Sequence, residues 1–106
     1  MFSLFQRNDG NSVHMSEIDN MLNEINLIDI REPFECARGC IKTAKNIPMT
    51  QLLADPEKYL DKSKKYYIMC QSGGRSSGAT STLSRAGYEV VNVRGGMERY
   101  TGNNRK

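Results

Sequence analysis

Apolar residues along this chain come in short bursts separated by polar turns, and the spacing inside each burst predicts an element. Val13-His14-Met15 suits a short strand. Ile18, Met21, Leu22 and Ile25 recur at helical intervals, and Ser16 offers an N-cap, so a helix is expected over 17–24. Leu27-Ile28-Asp29-Ile30 is a nearly continuous apolar run, the pattern of a strand covered on both faces of a parallel sheet. Pro33 suits the first turn of a helix that Gly39 cuts short. Ala44 to Pro48 reads as a brief strand closed by proline. Thr50 is placed to cap a helix through Leu52 and Leu53; Pro56 interrupts it, and one more turn covers 57–60. Tyr66 to Cys70 is the strongest strand signal, aromatic and β-branched. Ser77 to Ala86 predicts a helix in spite of its weak helix formers Gly78, Thr80, Ser81, Thr82 and Ser84. Gly87 stops it, with Tyr88 packing back. Glu89 to Val93 is the last strand, Arg94-Gly95-Gly96 a turn, and Met97 to Tyr100 a short helix.

Strands alternating with helical segments argue for an α/β domain with a mainly parallel sheet and helices on both faces. Sites in such sheets form outside the carboxyl ends of the strands. Asp29-Ile30-Arg31 and Cys70 to Arg75 both follow strand ends, so they are expected to share one edge.

Length and charge narrow this picture further. A chain of 106 residues fits one domain. Residues 1–14 are expected to be a loose lead-in, 15–101 the folded domain and 102–106 a frayed tail. The net charge of +3 is mild, and Lys62-Ser63-Lys64-Lys65 is too short a cluster for a nucleic-acid footprint. Neither a nucleic-acid nor a membrane partner is expected: no apolar run approaches the ~20 residues of a span, and Met1 to Phe5 is too short for a signal-peptide core. Three cysteines, an odd count, do not make a disulfide framework and suit a reducing, cytoplasmic setting. Cys36 and Cys40 make a Cys-x-x-x-Cys pair, but with Gly39 between them and no further ligands two unpaired structural thiols are expected. No metal or other cofactor is called for, and a monomer is expected. His14, the only histidine, has no evident metal partner.

The stretch from Tyr66 to Ser76 carries the chemistry. A thiol ends a strand, a Gly-rich turn follows, then a basic residue, and then a helix. Orphan amides and the positive dipole end of a helix favour an anion there, and thiols so placed fall to pKa values of about 3.5–7.5. Gly73 and Gly74 let the backbone turn amides inward, and Arg75 adds a planar fork for oxyanions. Cys70 is therefore a candidate nucleophile in a site for a small anionic substrate. A buried, inert thiol is the competing reading. The Gly-Gly, Arg and helix context favours reactivity.

Three segments resemble the rhodanese family of sulfurtransferases: Leu27 to Glu35 running on to Pro48, the Cys70-to-Arg75 loop, and Gly95-Gly96-Met97. They span about residues 15–101. The resemblance implies a rhodanese-like three-layer domain with a central five-stranded sheet. It implies that Cys70 takes sulfane sulfur from thiosulfate or a persulfide donor and passes it to cyanide or a thiol. Gln71, Ser72, Gly73, Gly74 and Arg75 would then bind the substrate, with Asp29, Arg31 and Ser76 as supports and Asp29 and Arg31 ion-paired with neighbours. A protein persulfide donor or acceptor is a further possible partner. Related phosphatases place five residues between Cys and Arg; the four here make a tighter cradle that suits a sulfur better than a phosphate. A persulfide carrier or a non-catalytic binding module is the alternative to an enzyme. The chain departs from the family pattern at Cys36, Cys40, Thr43 and Tyr100, where an aromatic, a histidine, a glycine and a tryptophan are frequent.

Overall fold

The computed structural model describes residues 11–106; the rest of the expected lead-in lies outside the described residues. Five strands form one sheet: β1 (Ser12–His14), β2 (Asn26–Asp29), β3 (Lys45–Asn46), β4 (Lys65–Met69) and β5 (Glu89–Arg94). Their order is β1-β5-β4-β2-β3, and every pairing is parallel. Four helices connect them: α1 (Pro33–Cys36), α2 (Met49–Ala54), α3 (Pro56–Tyr59) and α4 (Gly74–Arg85).

Strand periodicity divides the core. Ile28, Tyr66, Ile68 and Val90 point to the face covered by Leu52, Ala79 and Leu83. Their neighbours Leu27, Met69 and Val93 point to the other face, against Met15, Ile18 and Met97. Both faces are buried, which is why the strands read as continuous apolar runs. Asp29 pairs with Met69 in register. The ends of β2 and β4 therefore lie side by side, and the two segments singled out in the sequence meet there.

Several local expectations are corrected. The helix expected over 17–24 is two 3-10 turns, Met15–Glu17 and Asp19–Met21. His14, not Ser16, caps the first, its Nδ1 accepting the Ser16 amide at 3.1 Å. Buried residues three apart still share a side in a 3-10 turn, so the apolar spacing survives the change of helix type. Asp19 and Asn20 are weak helix formers, and Asp19 spends its carboxylate on Tyr100 and Asn104. Thr50 does not cap α2: the helix begins at Met49, and the Pro48 carbonyl accepts the first bonds, from Gln51 and Leu52.

The end of the chain is docked rather than frayed. Cys40 and Lys106 exchange backbone bonds, Lys42 N–H donates to Asn104, and Ile41 and Arg105 form an antiparallel bridge. The Tyr100 hydroxyl donates to Asp19 and accepts the Asn104 amide, which gives this departure from the family pattern a structural use. The Gly87 stop is as expected. Gly87 has a φ of 101°, and the amides of Gly87 and Tyr88 bond back to Ser84 and Leu83, the two bonds of a Schellman motif.

Candidate active site

Helix α4 starts three residues earlier than its composition suggests. Gly73 adopts a left-handed φ of 105° as its N-cap, a conformation that glycine takes without steric cost. The first helical bond then runs from Ser77 N–H to the Gly73 carbonyl, at 3.0 Å. This start places Arg75 and Ser76 in the first turn, where amide groups have no helical partner. The Ser76 amide donates to Cys70 Sγ at 3.3 Å and the Gly73 amide donates to it at 3.1 Å. The thiol in turn donates to Ser76 Oγ, 3.4 Å away, and that hydroxyl donates to the Gly73 carbonyl.

Cys70 is 1% exposed. Burial pushes its thiol up, but the hydrogen bond with the Ser76 hydroxyl and those from the Ser76, Gly73 and Ser72 amides outweigh it, and the thiol lies below its ordinary value. Cys36 goes the other way. Burial, and then the Asp29 carboxylate beside it, push it up to about 11. All three cysteines are unpaired, and among the described residues no cluster suited to a metal ion occurs.

Asp29 and Arg31 form a buried ion pair, 2.9 Å from Nη2 to Oδ2. Arg31 Nε donates to both Asp29 oxygens. Its remaining donors reach the Gly39 carbonyl at 2.8 Å and Gln71 Oε1 at 3.1 Å. One guanidinium thus ties the end of β2 to the segment after α1 and to the first residue of the Cys70 loop. The family resemblance implied ion pairing with neighbours; the structure pairs the two residues with each other.

Two details depart from the expected cradle. Arg75 does not present an open fork, because Glu35 fills it with two bonds of 2.9 Å. The Arg75 guanidinium holds the Glu35 carboxyl down to about 2. Gly74 supplies no special backbone conformation: its φ is not left-handed, and a side-chain carbon there would meet nothing within 4 Å.

Sequence reasoning assigned no role to Glu35 or Gly96. Gly96 has a φ of 58°, and a side-chain carbon on it would collide with the Cys70 and Gln71 carbonyls. This close approach lets the Met97 and Glu98 amides donate to those same two carbonyls, each at 2.9 Å. The Gly95-Gly96 pair was the available signal, since glycine doublets mark close backbone approaches. Glu35 gave none, because its partner lies 40 residues along the chain.

Two clefts border the loop. One, of about 430 Å³, is lined by Arg31, Arg38 and Arg105 with Glu35, Glu98 and Gln71. Three guanidinium groups against two carboxylates leave it net positive. The other, of about 590 Å³, lies on the Ser72–Gly73 side between α4 and β5.

Comparison with known proteins agrees with this fold. The family model described as "Rhodanese-like domain" matches residues 14–103. Bacillus subtilis YtwF, provisionally named a sulfurtransferase, is 43% identical over 81 residues, covering 74% of this chain and 76% of that protein. A protein of Allochromatium vinosum named "Sulfurtransferase" is 39% identical over 75 residues, 70% of this chain and 69% of its own. Among solved structures, a rhodanese-like domain protein from Staphylococcus aureus superposes with a TM-score of 0.81 at 33% identity, covering 91% of this chain and 96% of its own.

Proposed function

Given that the chain belongs to the rhodanese-like domain family, we propose that it is a sulfurtransferase working through a persulfide on Cys70. The observation that carries this reading is the cradle at the start of α4, where two amides and a hydroxyl converge on Cys70 Sγ. A lowered thiol is a better-populated nucleophile at neutral pH.

With thiosulfate as donor, the Cys70 thiolate attacks the outer sulfur. A new S–S bond forms, the bond to the sulfonate sulfur breaks, and its electron pair leaves with sulfite. The loop from Gln71 to Arg75 lines the outer sulfur, Ser76 supports Sγ, and Arg31 holds the loop through Gln71. An anionic donor approaches from the arginine-lined cleft on the Gln71 side. In the second half-reaction cyanide or a thiol takes the outer sulfur, and Cys70 leaves as thiolate. Asp29 acts by orienting Arg31.

A persulfide carrier is the second reading. A Bacillus subtilis relative 33% identical over 79 residues, YrkF, is provisionally named a sulfur carrier protein, and the match covers 42% of it. In either reading the three free thiols suit a reducing cytoplasm, and a protein persulfide donor or acceptor is compatible with the site. Among the described residues no helix is long and apolar enough to cross a membrane.

The test is intact-mass measurement after incubation with thiosulfate. One added sulfur is expected on the wild type and none on Cys70→Ser. Release of that sulfur by cyanide with repeated turnover supports the enzyme; a single stable loading supports the carrier. No added sulfur with thiosulfate or with a persulfide donor overturns both.

A further inference from the structure

The docked segment after Tyr100 brings a charge to the Cys70 loop from beyond the family match, which ends at residue 103. Arg105 bridges to Ile41, between the Lys42–Asn104 bond and the two Cys40–Lys106 bonds. The Asn104 side chain donates to Asp19, and its amide N–H donates to the Tyr100 hydroxyl. The Arg105 guanidinium lies over the Tyr100 ring, 5.9 Å from its centre. Its Nη2 makes one long bond, 3.5 Å, to the Tyr100 carbonyl. The group is thus held before any ligand arrives, which lowers the entropic cost of using it.

Held there, Arg105 lines the cleft on the Gln71 side with Arg31, Arg38 and Glu98. Gly39 makes the approach possible: its φ is 146°, and a side-chain carbon on it would stand 3.0 Å from Arg105 Nη1. The same glycine offers its carbonyl to Arg31 Nη2, so two guanidinium groups converge on it. The charges of the cleft do not cancel. Asp29 neutralises Arg31, and Arg75 neutralises Glu35. Arg38 and Arg105 remain, without an ion-pair partner among the described residues, against the exposed Glu98 alone. Gathering like charges costs repulsion that an anion relieves, and a cleft so lined concentrates small anions.

We infer that Arg105, with Arg38 in the same cleft, sets the charge preference of the site: it binds the oxyanion end of the sulfur donor and favours a donor whose leaving group departs as a dianion. The inference rests on the persulfide reading above. The Cys70 thiolate attacks the outer sulfur of thiosulfate, the S–S bond to the sulfonate sulfur breaks, and its electron pair leaves with sulfite, which carries two charges. From methanethiosulfonate the same step leaves the same Cys70 persulfide and releases methanesulfinate, which carries one. Neither step needs another oxidant or reductant. Fixed guanidinium groups stabilise the leaving oxygens as charge develops on them, and more so for the dianion.

The readout is the ratio of kcat/KM for thiosulfate to that for methanethiosulfonate, at one ionic strength. It is expected to fall about three- to tenfold in Arg105→Gln, the range of a partly exposed charge-assisted bond. Arg105→Lys keeps the charge without the planar fork and is expected to recover part of the loss. Glu98→Gln removes the opposing carboxylate and is expected to raise the ratio. Lys106→Gln removes a neighbouring cation that does not line the cleft and is expected to leave it unchanged. A wild-type ratio in Arg105→Gln, or an equal fall in Lys106→Gln, overturns the assignment. Arg105 is exposed, so its variants keep the core intact. Calorimetry of thiosulfate on Cys70→Ser reports binding without chemistry, and adding Arg105→Gln is expected to weaken it about three- to tenfold. Absence of that dependence also overturns the assignment. If binding depends on Arg105 while neither donor adds sulfur to the wild type, the anion site stands and the sulfurtransferase reading falls.

Discussion

Arg75 and Glu35 meet fork to fork, Nη1 to Oε1 and Nη2 to Oε2, each at 2.9 Å. The pair joins the first turn of α4 to α1 and sits beside the cradle, so the charge that could attract an anionic donor is offset by a carboxylate. Glu35→Gln is expected to lower the KM for thiosulfate about two- to tenfold, and Arg75→Ala to raise it by a similar factor. A charge-assisted bond is worth about 1.5–3 kcal/mol when buried and less at a partly exposed site. Steady-state kinetics on both variants is the check; a wild-type KM in each would remove Arg75 from donor binding.

Cys70→Ser is expected to abolish sulfur transfer and leave the fold intact, because the hydroxyl can still accept the Gly73 and Ser76 amides. Cys36→Ser and Cys40→Ser are expected to retain most activity. Circular dichroism with turnover assays separates loss of chemistry from loss of fold.

The pH dependence of the two characterised thiols is opposed. Cys70 lies below its ordinary value of 9.0 and Cys36 is raised to about 11. Alkylation of a variant holding only Cys70 is expected to reach half its maximal rate below pH 9.0, and one holding only Cys36 near pH 11. For stability the Cys70 sign follows from proton counts. Between its folded pKa and 9.0 the unfolded chain binds a proton that the native state does not, so Cys70's contribution rises with pH across that window. It is fully present above the unfolded pKa and is lost as pH falls through the folded one.

Gly96→Ala and Gly74→Ala are expected to differ in sign. The first forces a side chain onto the Cys70 and Gln71 carbonyls at a positive φ, costing about 2–5 kcal/mol through strain and overpacking. The second meets open space and is expected to stabilise by about 0.4–1 kcal/mol through the unfolded chain. Denaturant titration of both proteins provides the comparison.

Arg31→Met is expected to cost about 3–5 kcal/mol, because it leaves the Asp29 carboxylate buried without its partner. Asp29→Asn with Arg31→Met is expected to cost less than the two single changes added together. Full additivity in chemical denaturation would show that the ion pair is not the coupled unit described above.

The sequence by itself determined the α/β class, the parallel sheet, the strand that leads into Cys70 and the Gly87 stop. Each is a local pattern: apolar runs of strand length, a thiol followed by a Gly-rich turn, a glycine after a helical stretch. Ion pairing of Asp29 and Arg31 with neighbours was implied by the family resemblance; that the two pair with each other is visible only in the structure. What only the tertiary structure decided depends on distant segments meeting. The Glu35 carboxylate in the Arg75 fork, Gly96 beneath the Cys70 carbonyl and the docking of Lys106 on Cys40 are all long-range contacts. The start of α4 belongs with them. Composition favoured Ser77, but the left-handed Gly73, packed against Arg94 and Gly95, begins the helix early enough to turn the Ser76 amide onto the thiol. Periodicity reports which face a residue takes; it carries no information about which remote group waits there.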